Sequence, residues 1–451
     1  MPFIIGANSA VGGFTVDNSC RFNSAESARL SRTPGGAGNA NIWTWSAWIK
    51  RSNLSATQFL MGSSTSASDF EDIRLAAAAE AQVNYIRYLT TKQWGYNTIA
   101  KLRDVSAWYH LCINRSGTTM NCFINGASAT RENETTSTAT GDFNTTDELR
   151  IGSRPDTTAN TFDGYIAELC FIDGTALDAD QFGEFDSDSP TIWKPINVSG
   201  LTFGTQGFYL DFEDSSDLGK DVSGNGNDFT STNIAATDQA TDTPGNNFNV
   251  LNAIHQTAAN FTISEGATKI TKTGSGLNLG GYLATLMPTT GKWYFEAKID
   301  EAGDGDRGRV GLANYESVTG TSVIQGNYSG LEVSLKAAKL FVTINGTTTE
   351  TTASGDYADG DIVNIAMDLD NNAIYVGRNG TWLTLTGTSG GDPTSGASKT
   401  GAIVTDTTYI LNGTPMCTYF GSSIGGVSDT STVSYNFGNP AFAISSGNAD
   451  A

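Results

Sequence analysis

Apolar and polar residues alternate along many short segments of the chain, with the period of two that is typical of β-strands. Trp43, Trp45 and Ala47 fall on one side of such a segment, and the residues between them fall on the other. Segments 108–126 and 361–382 each contain two strand patterns joined by a turn, with Asn-Gly near the end. Asn-Gly tolerates the positive φ angles of hairpin turns. The repeated pattern predicts antiparallel β-structure throughout.

The length of the chain favours more than one domain. Its 451 residues exceed what a single hydrophobic core usually supports. Strand patterns fill two regions, and a stretch rich in Pro, Gly and Asn separates them. We therefore predict an all-β protein with two antiparallel β-sandwiches in tandem. The predicted boundaries are an arm at 1–13, a first domain at 14–235, a linker at 236–254, a second domain at 255–445 and a tail at 446–451.

Charge and composition exclude several classes of partner. The net charge is −21, from 47 acidic and 26 basic side chains, so we expect no nucleic-acid binding, which requires a cationic surface. No window has the length and hydrophobicity of a membrane span, and the amino-terminal segment lacks the basic region of a secretion signal. Five cysteines without CxxC spacing and two histidines exclude a zinc cluster and indicate buried, reduced thiols.

Catalytic residues do not form a convincing set, so we expect no enzymatic activity. Glycosidases need two carboxylates that face the sugar together. Glu296, Asp300 and Glu301 form the nearest cluster, but Glu296 and Glu301 point to opposite faces of a strand. His110 lies in the middle of a strand pattern, where a packed and hydrogen-bonded histidine is the simpler interpretation.

One loop has the oxygen-rich composition of a calcium site. Carboxylate and amide oxygens suit Ca²⁺, and the alternative is that they accept hydrogen bonds from nearby backbone amides in Asx turns. A structural Ca²⁺ is the one cofactor left open by the sequence. The candidate ligands are Asp217, Asp221, Asn225, Asn227 and Asp228.

Aromatic side chains in loops are the candidates for ligand binding. Trp94 and Tyr96 flank a glycine in a predicted loop, and Trp382 with Tyr328 provides a second pair in the second domain. Most sandwich tryptophans are core residues, and we assign that role to Trp43, Trp45, Trp48 and Trp293. An exposed apolar stretch in the arm suggests a contact used in assembly. Its residues are Phe3, Ile4 and Ile5.

Two sets of sequence segments resemble known domain families. Segments 43–52, 106–126 and 162–177 resemble the laminin-G-like, concanavalin A-like lectin/glucanase sandwiches over roughly 14–235. Segments 291–299, 308–314, 361–382 and 433–442 resemble a SPRY domain over roughly 255–445. The first resemblance implies a jelly roll that often holds Ca²⁺, and the second implies another sandwich.

A further combination of sequence segments is similar to tail and appendage proteins of marine bacteriophages, including cyanophages. The segments that carry this resemblance are 1–10, 176–196, 207–229 and 241–252. It implies a homo-oligomeric virion protein, made in the host cytoplasm and released by lysis. Its partners would be other virion proteins and a polysaccharide or protein of the host surface. A purely structural capsid or tail component is the alternative, and a polysaccharide depolymerase is a third interpretation.

Overall fold

The computed structural model describes residues 14–256, 261–272, 280–303, 308–317, 329–335, 339–352, 357–422 and 430–438. The chain divides into two compact units, Met1–Asn247 and Phe248–Ala451. Both units consist of antiparallel strands, which confirms the all-β prediction. The predicted arm at 1–13 and tail at 446–451 lie outside the described residues. Among the described helices, none is long and apolar enough to cross a membrane.

The first unit contains eighteen described strands. In chain order they are β1 (Ser19–Phe22), β2 (Arg29–Arg32), β3 (Ile42–Arg51), β4 (Gln58–Ser66), β5 (Asp69–Leu75), β6 (Gln82–Leu89), β7 (Thr91–Lys101), β8 (Trp108–Ser116), β9 (Thr119–Ile124), β10 (Ala127–Ser128), β11 (Arg131–Thr135), β12 (Leu149–Ile151), β13 (Gly164–Asp173), β14 (Gly183–Phe185), β15 (Trp193–Pro195), β16 (Phe208–Leu210), β17 (Thr230–Thr232) and β18 (Gln239–Ala240). Its helices are single 3-10 turns at Ser24–Glu26, Ala179–Gln181 and Ala236–Asp238.

Two large sheets enclose the core of the first unit. One has the order β10-β9-β8-β3-β13-β1-β18, with β16 also paired to β13, and the other has the order β11-β7-β6-β5-β4-β12-β2-β17. Strands β14 and β15 form a separate hairpin. Trp43 packs at the centre, with ring centroids 5.5 Å from Phe143, 5.9 Å from Phe171 and 6.1 Å from Tyr85. The predicted alternation of β3 is therefore used to fill the space between the sheets.

The second unit contains fourteen described strands. They are β19 (Leu251–Gln256), β20 (Phe261–Ser264), β21 (Lys269–Lys272), β22 (Gly280–Ala284), β23 (Lys292–Glu301), β24 (Gly308–Asn314), β25 (Gly330–Ser334), β26 (Lys339–Ile344), β27 (Thr347–Thr352), β28 (Ile362–Asp368), β29 (Ala373–Arg378), β30 (Thr381–Trp382), β31 (Met416–Ser422) and β32 (Ser431–Asn436). The described helices are 3-10 turns at Tyr315–Ser317 and Gly396–Ser398.

The second unit is also a sandwich of two sheets. Their orders are β19-β22-β31-β24-β25-β26-β27 and β20-β21-β32-β23-β28-β29-β30. Phe295 of one sheet and Val310 of the other belong to a single buried cluster. This pairing of sheets confirms the prediction of two sandwiches in tandem.

The predicted Asn-Gly turns have the backbone geometry that hairpins require. Asn125 and Gly126 have φ angles of 49° and 76°, and Asn379 and Gly380 have φ angles of 50° and 80°. Asn and Gly adopt positive φ at lower steric cost than other residues. These turns set the register of the strands that follow them.

The boundary between the units lies inside the segment predicted as a linker, at Asn247–Phe248. Residues before it belong to the first unit, since Gln239 and Ala240 pair with β1. Asp242 is fully buried. It accepts hydrogen bonds from Lys50 Nζ at 2.6 Å and from Trp108 Nε1 at 2.8 Å. We call this group the Asp242 clamp, and it joins the part of the predicted linker before Phe248 to the first sandwich.

Candidate functional site

A cavity of about 440 Å³ opens on the second unit beside the paired strands β23 and β28. We call it the aromatic cavity, because its lining residues include the neighbouring rings of Tyr294 and Trp382, together with two carboxylates and one lysine. Its volume falls within the range of about 300–1,000 Å³ that is usual for small-molecule sites. The lining residues are Lys292, Trp293, Tyr294, Ala366, Met367, Asp368, Trp382, Gly391, Asp392, Pro393 and Thr394.

Strand register brings the first wall of the cavity together. Tyr294 lies opposite Ala366 and Trp293 lies opposite Met367 in the antiparallel pair. Successive side chains point to opposite faces of a strand. Trp293 therefore has the same orientation as the core residue Phe295, yet it remains 37% exposed. It stands at the start of β23, at the margin of the sheet.

A turn before β23 holds the Trp293 indole in place. Gly291 has φ +86°, a conformation that glycine adopts without steric cost. The backbone N–H of Gly291 donates to Asp370 Oδ1 at 2.7 Å, and Trp293 Nε1 donates to the carbonyl oxygen of Thr290 at 2.7 Å. The exposed indole is thereby oriented before any ligand arrives.

Trp382 forms the second wall from the short edge strand β30. It pairs with Gly377 of β29, and a Cβ atom at Gly377 would lie 3.2 Å from the indole ring. Glycine therefore allows the indole to rest on the neighbouring strand. The rings of Trp382 and Tyr294 have centroids 6.1 Å apart at an angle of 66°. The two rings form adjacent, steeply inclined walls.

The polar groups of the cavity are fixed by local hydrogen bonds. Asp368 accepts from the backbone N–H of Asn371 at 3.0 Å and from its side-chain amide at 2.8 Å. Asp392 accepts from the backbone N–H and hydroxyl of Thr394 at 2.9 and 2.6 Å. Lys292 Nζ lies 3.6 Å from Asp368 Oδ2, and its side chain is 60% exposed. Aromatic walls with a few fixed polar groups are typical of ligand sites.

Of the sequence-predicted ligand aromatics, only Trp382 lies in this cavity. Tyr328 lies outside the described residues. Trp94 and Tyr96 are in β7, not in a loop, and each is only 1% exposed. The loop prediction was wrong because Gly95 serves close strand packing: a Cβ atom there would lie 2.7 Å from the Tyr85 carbonyl oxygen.

Trp94 and Tyr96 have partners inside the first unit. Trp94 Nε1 donates to the carbonyl oxygen of Ala139 at 3.2 Å, and the Arg115 guanidinium lies 4.5 Å from its ring centroid. Tyr96 stacks on Tyr85 at 5.9 Å. Their ring faces contact protein groups, so they offer no surface to a ligand from solvent.

The core assignment of Trp293 was also wrong, and the sequence pattern did not indicate that Tyr294, Asp368 and Asp392 belong to one site. The alternation of β23 gives Trp293 a core-facing orientation, but the pattern does not show where the core ends. One local signal was present: Gly291 marks a turn directly before the strand, and residues at such ends are covered least.

The predicted calcium loop is held by hydrogen bonds of the Asx type. Asp221 Oδ1 accepts from the backbone N–H groups of Tyr209 and Ser223, both at 2.9 Å, and Oδ2 accepts from Asn227 N–H at 2.8 Å. Asp228 Oδ1 accepts from Asp221 N–H at 2.9 Å. These bonds support the turn alternative for the loop.

The other predicted ligands of the loop follow the same pattern. Asp217 Oδ1 accepts from Gly219 N–H at 3.2 Å, and Asn225 Nδ2 donates to the Gly207 carbonyl oxygen at 2.9 Å. Asn227 Oδ1 accepts from Arg32. Within the described part of the chain, no group of three or more His, Cys, Asp or Glu side chains could hold a metal ion.

Two further candidates for chemistry, His110 and Glu296, are buried and hydrogen-bonded. His110 Nε2 lies 2.9 Å from Ser46 Oγ, and burial lowers the pKa of His110 to about 3, so its imidazole stays neutral. Glu296 accepts from Tyr294 Oη at 2.5 Å and from Asn364 Nδ2 at 3.0 Å. The assembly residues Phe3, Ile4 and Ile5 lie outside the described residues. The five cysteines are free and buried, as predicted.

One family model matches part of the first unit. Residues 25–181 match Laminin_G_3, described as the concanavalin A-like lectin/glucanases superfamily. This match agrees with the laminin-G-like resemblance of the first domain. A search of curated protein sequences found no relative of the chain.

Several solved structures are similar to the chain at low identity. A candidate carbohydrate-binding protein from Bacteroides ovatus is 13% identical with a TM-score of 0.35, and the match covers 49% of this chain and 60% of that protein. Domains LG4-5 of the mouse laminin alpha1 chain are 12% identical with a TM-score of 0.31, covering 96% and 91%. The TRIM65 PSpry domain is 13% identical with a TM-score of 0.28, covering 42% and 92%. Similarity at this level carries no functional argument.

Proposed function

We propose that the protein is a non-catalytic component of a bacteriophage virion that binds a glycan of the host surface through the aromatic cavity. The observation that supports this proposal is that Tyr294 and Trp382 line one open cavity together with two fixed carboxylates, Asp368 and Asp392. The lectin-type family match of residues 25–181 supports a binding role for the chain. The resemblance of its sequence segments to phage appendage proteins supports the proposal that it is a component of a virion.

The cavity suits a sugar for physical reasons. The apolar faces of a pyranose pack against aromatic rings, and its hydroxyl groups need acceptors that are already in position. Tyr294 is held by its hydrogen bond to Glu296, and Asp392 is held by Thr394. Because these groups lose little freedom on binding, the entropic cost of association is reduced. A volume of about 440 Å³ accommodates one or two sugar rings.

The test is adsorption of purified, fluorescently labelled protein to candidate host cells and to their immobilised envelope polysaccharide. We expect saturable binding that is lost in Trp382→Ala. The matched control is Tyr409→Ala, since Tyr409 is exposed in the same unit and does not line the cavity. Equal binding by both variants would refute the role of the cavity.

Two further measurements separate the alternatives. We expect no release of reducing ends from the polysaccharide, and their release would show a depolymerase. Binding only to other virion proteins, with adsorption unchanged after deletion of the gene, would support a structural component instead. Analytical ultracentrifugation tests the proposed homo-oligomer directly.

A further inference from the structure

The walls of the aromatic cavity have the arrangement that binds an organic cation. Tyr294 and Trp382 present rings at 66° with centroids 6.1 Å apart, and both residues line the cavity. The negative face of an aromatic ring attracts an ammonium group, and tryptophan does so most strongly. Several inclined rings around one volume are the usual way to surround a methylated ammonium group.

The charges around the cavity favour a cation over an anion. Asp368 and Asp392 line it, and Lys292 is the one basic side chain among its lining residues. Asp370 adds a third carboxylate at the adjacent turn, where it accepts from Gly291 N–H. The net charge of −21 extends the negative potential and attracts cations from a distance. A neutral sugar could use these carboxylates as hydrogen-bond acceptors only, whereas a cation is also attracted by their charge.

Lys292 shows that an ammonium group is already attracted to this position. Its Nζ lies 3.6 Å from Asp368 Oδ2, while its side chain remains 60% exposed. A pair this open is weakly held. The lysine can therefore move into solvent and leave the carboxylate to a cation of the ligand.

We propose that the ligand of the aromatic cavity carries an organic ammonium group, either the primary amine of an amino sugar or a quaternary ammonium substituent. This inference rests on the proposed binding function and specifies its ligand. Tyr294 and Trp382 contact the cationic group, and Asp368 and Asp392 balance its charge. Acidic sugars are excluded by the same carboxylates.

The first experiment compares ligands of equal shape and different charge. Choline is titrated against 3,3-dimethylbutan-1-ol, its neutral isostere, and glucosamine is titrated against glucose, with tryptophan fluorescence as the signal. We expect at least tenfold tighter binding of one ammonium compound than of its neutral counterpart. The choline pair reports a quaternary group, and the glucosamine pair reports a primary amine. Trp382→Ala should abolish the preference, and Tyr409→Ala should retain it.

The second experiment uses Lys292→Gln, which removes the competing lysine ammonium from the cavity. We expect this variant to bind the preferred ammonium compound several-fold more tightly. Lys220→Gln is the control, because it changes the net charge equally and Lys220 is an exposed residue of the first unit. Unchanged or weaker binding of the ammonium compound after Lys292→Gln would contradict the attraction of a ligand cation to Asp368 and overturn the inference.

The outcomes separate this inference from the proposed function. Equal binding of choline and its neutral isostere, together with equal binding of glucosamine and glucose, overturns the cation preference. The glycan proposal survives that result if host polysaccharide still binds and Trp382→Ala still prevents it. Loss of cation binding in Trp382→Ala counts only when the variant keeps the circular dichroism and melting temperature of the parent, and Trp382→Phe provides a second test with an aromatic ring retained.

Discussion

Tryptophan has opposite roles in the two units. In the first unit, Trp43, Trp45 and Trp94 are fully buried between the sheets. In the second unit, Trp293 and Trp382 remain partly exposed and line a cavity. All five lie in strands, so strand membership does not separate the two roles. What differs is position: Trp293 and Trp382 stand at strand ends or on a sheet edge, where fewer neighbours cover the ring.

Removing one tryptophan from each unit tests this difference in roles most directly. Trp43→Ala should lower the free energy of unfolding of the first unit by about 3–5 kcal/mol, because a fully packed indole leaves a cavity. Trp293→Ala should lower that of the second unit by about 1 kcal/mol or less, as is usual for surface positions. Calorimetry, with a separate transition for each unit, measures both values. A loss of similar size in both variants would contradict the assigned roles.

The next largest effect is expected at the Asp242 clamp. Asp242→Asn removes the carboxylate that balances the buried Lys50 ammonium 2.6 Å away, and a broken buried pair costs about 3 kcal/mol. Burial lowers the pKa of Lys50 below its ordinary value, and the nearby Asp242 carboxylate offsets part of that decrease. The control is Asp214→Asn, which breaks the exposed pair with Lys220 and should leave the melting temperature unchanged. If the melting temperature of the first unit is unchanged in Asp242→Asn, residues 239–247 are not part of the first sandwich.

A smaller, pH-dependent effect is expected at Glu168, which is buried and accepts from Tyr209 Oη at 2.6 Å. Burial raises the pKa of Glu168 from its ordinary 4.5 to about 7, with further increases from Asp211, Glu213 and Asp17. The folded first unit therefore binds this proton more tightly than the unfolded chain does. Its contribution to stability is complete below about pH 4.5 and is lost as the pH rises through about 7.

Glu168→Gln tests this effect. Glu168 should account for about 2 kcal/mol of the first-unit stability that the parent protein loses between pH 5 and pH 8, and the variant should lose clearly less than the parent. Part of the dependence of stability on pH should remain in the variant, because burial also raises the pKa of Asp142 to about 7. Melting temperatures at the two pH values measure the difference. An identical slope in the variant would show that Glu168 does not titrate in this range.

The smallest effect is expected for alkylation of the cysteine thiols in the native protein, where they should not react. Burial raises the pKa of every cysteine, with four in the first unit and Cys417 in the second. Iodoacetamide should therefore label none of them before unfolding. In Trp43→Ala, mild denaturant should expose the four first-unit thiols before Cys417. Mass spectrometry of the labelled peptides measures the order, and simultaneous labelling would show that the units unfold together.

Much of the fold could be predicted because the alternation of apolar and polar residues identifies strands and the face that meets the space between the sheets. The alternating pattern near Trp43 corresponds to β3, and the two Asn-Gly hairpins have the predicted positive φ angles. These features depend on neighbouring residues in the sequence. The same is true of the Asx turns at Asp221, where donors and acceptors lie within a few residues.

The site could be predicted only in part, because it depends on distant segments. Trp382 was proposed as a ligand residue, but its neighbours in the cavity come from β23, β28 and residues 391–394. Nothing local to Trp293 shows that the core ends before it. Nothing local to Trp94 shows that Arg115 and Ala139 cover its ring. Such contacts follow from the pairing of strands far apart in the chain.

The Asp242 clamp determines where the chain can be divided for recombinant expression. A fragment ending at residue 235 would lose β18 from the sheet edge and would leave the Lys50 ammonium inside the sandwich without Asp242. Extending the fragment to Asn247 restores both, and Asn247 Oδ1 itself accepts from Lys50 Nζ at 2.7 Å. We therefore expect the longer fragment to be soluble and resistant to proteases, and the shorter one to accumulate in inclusion bodies.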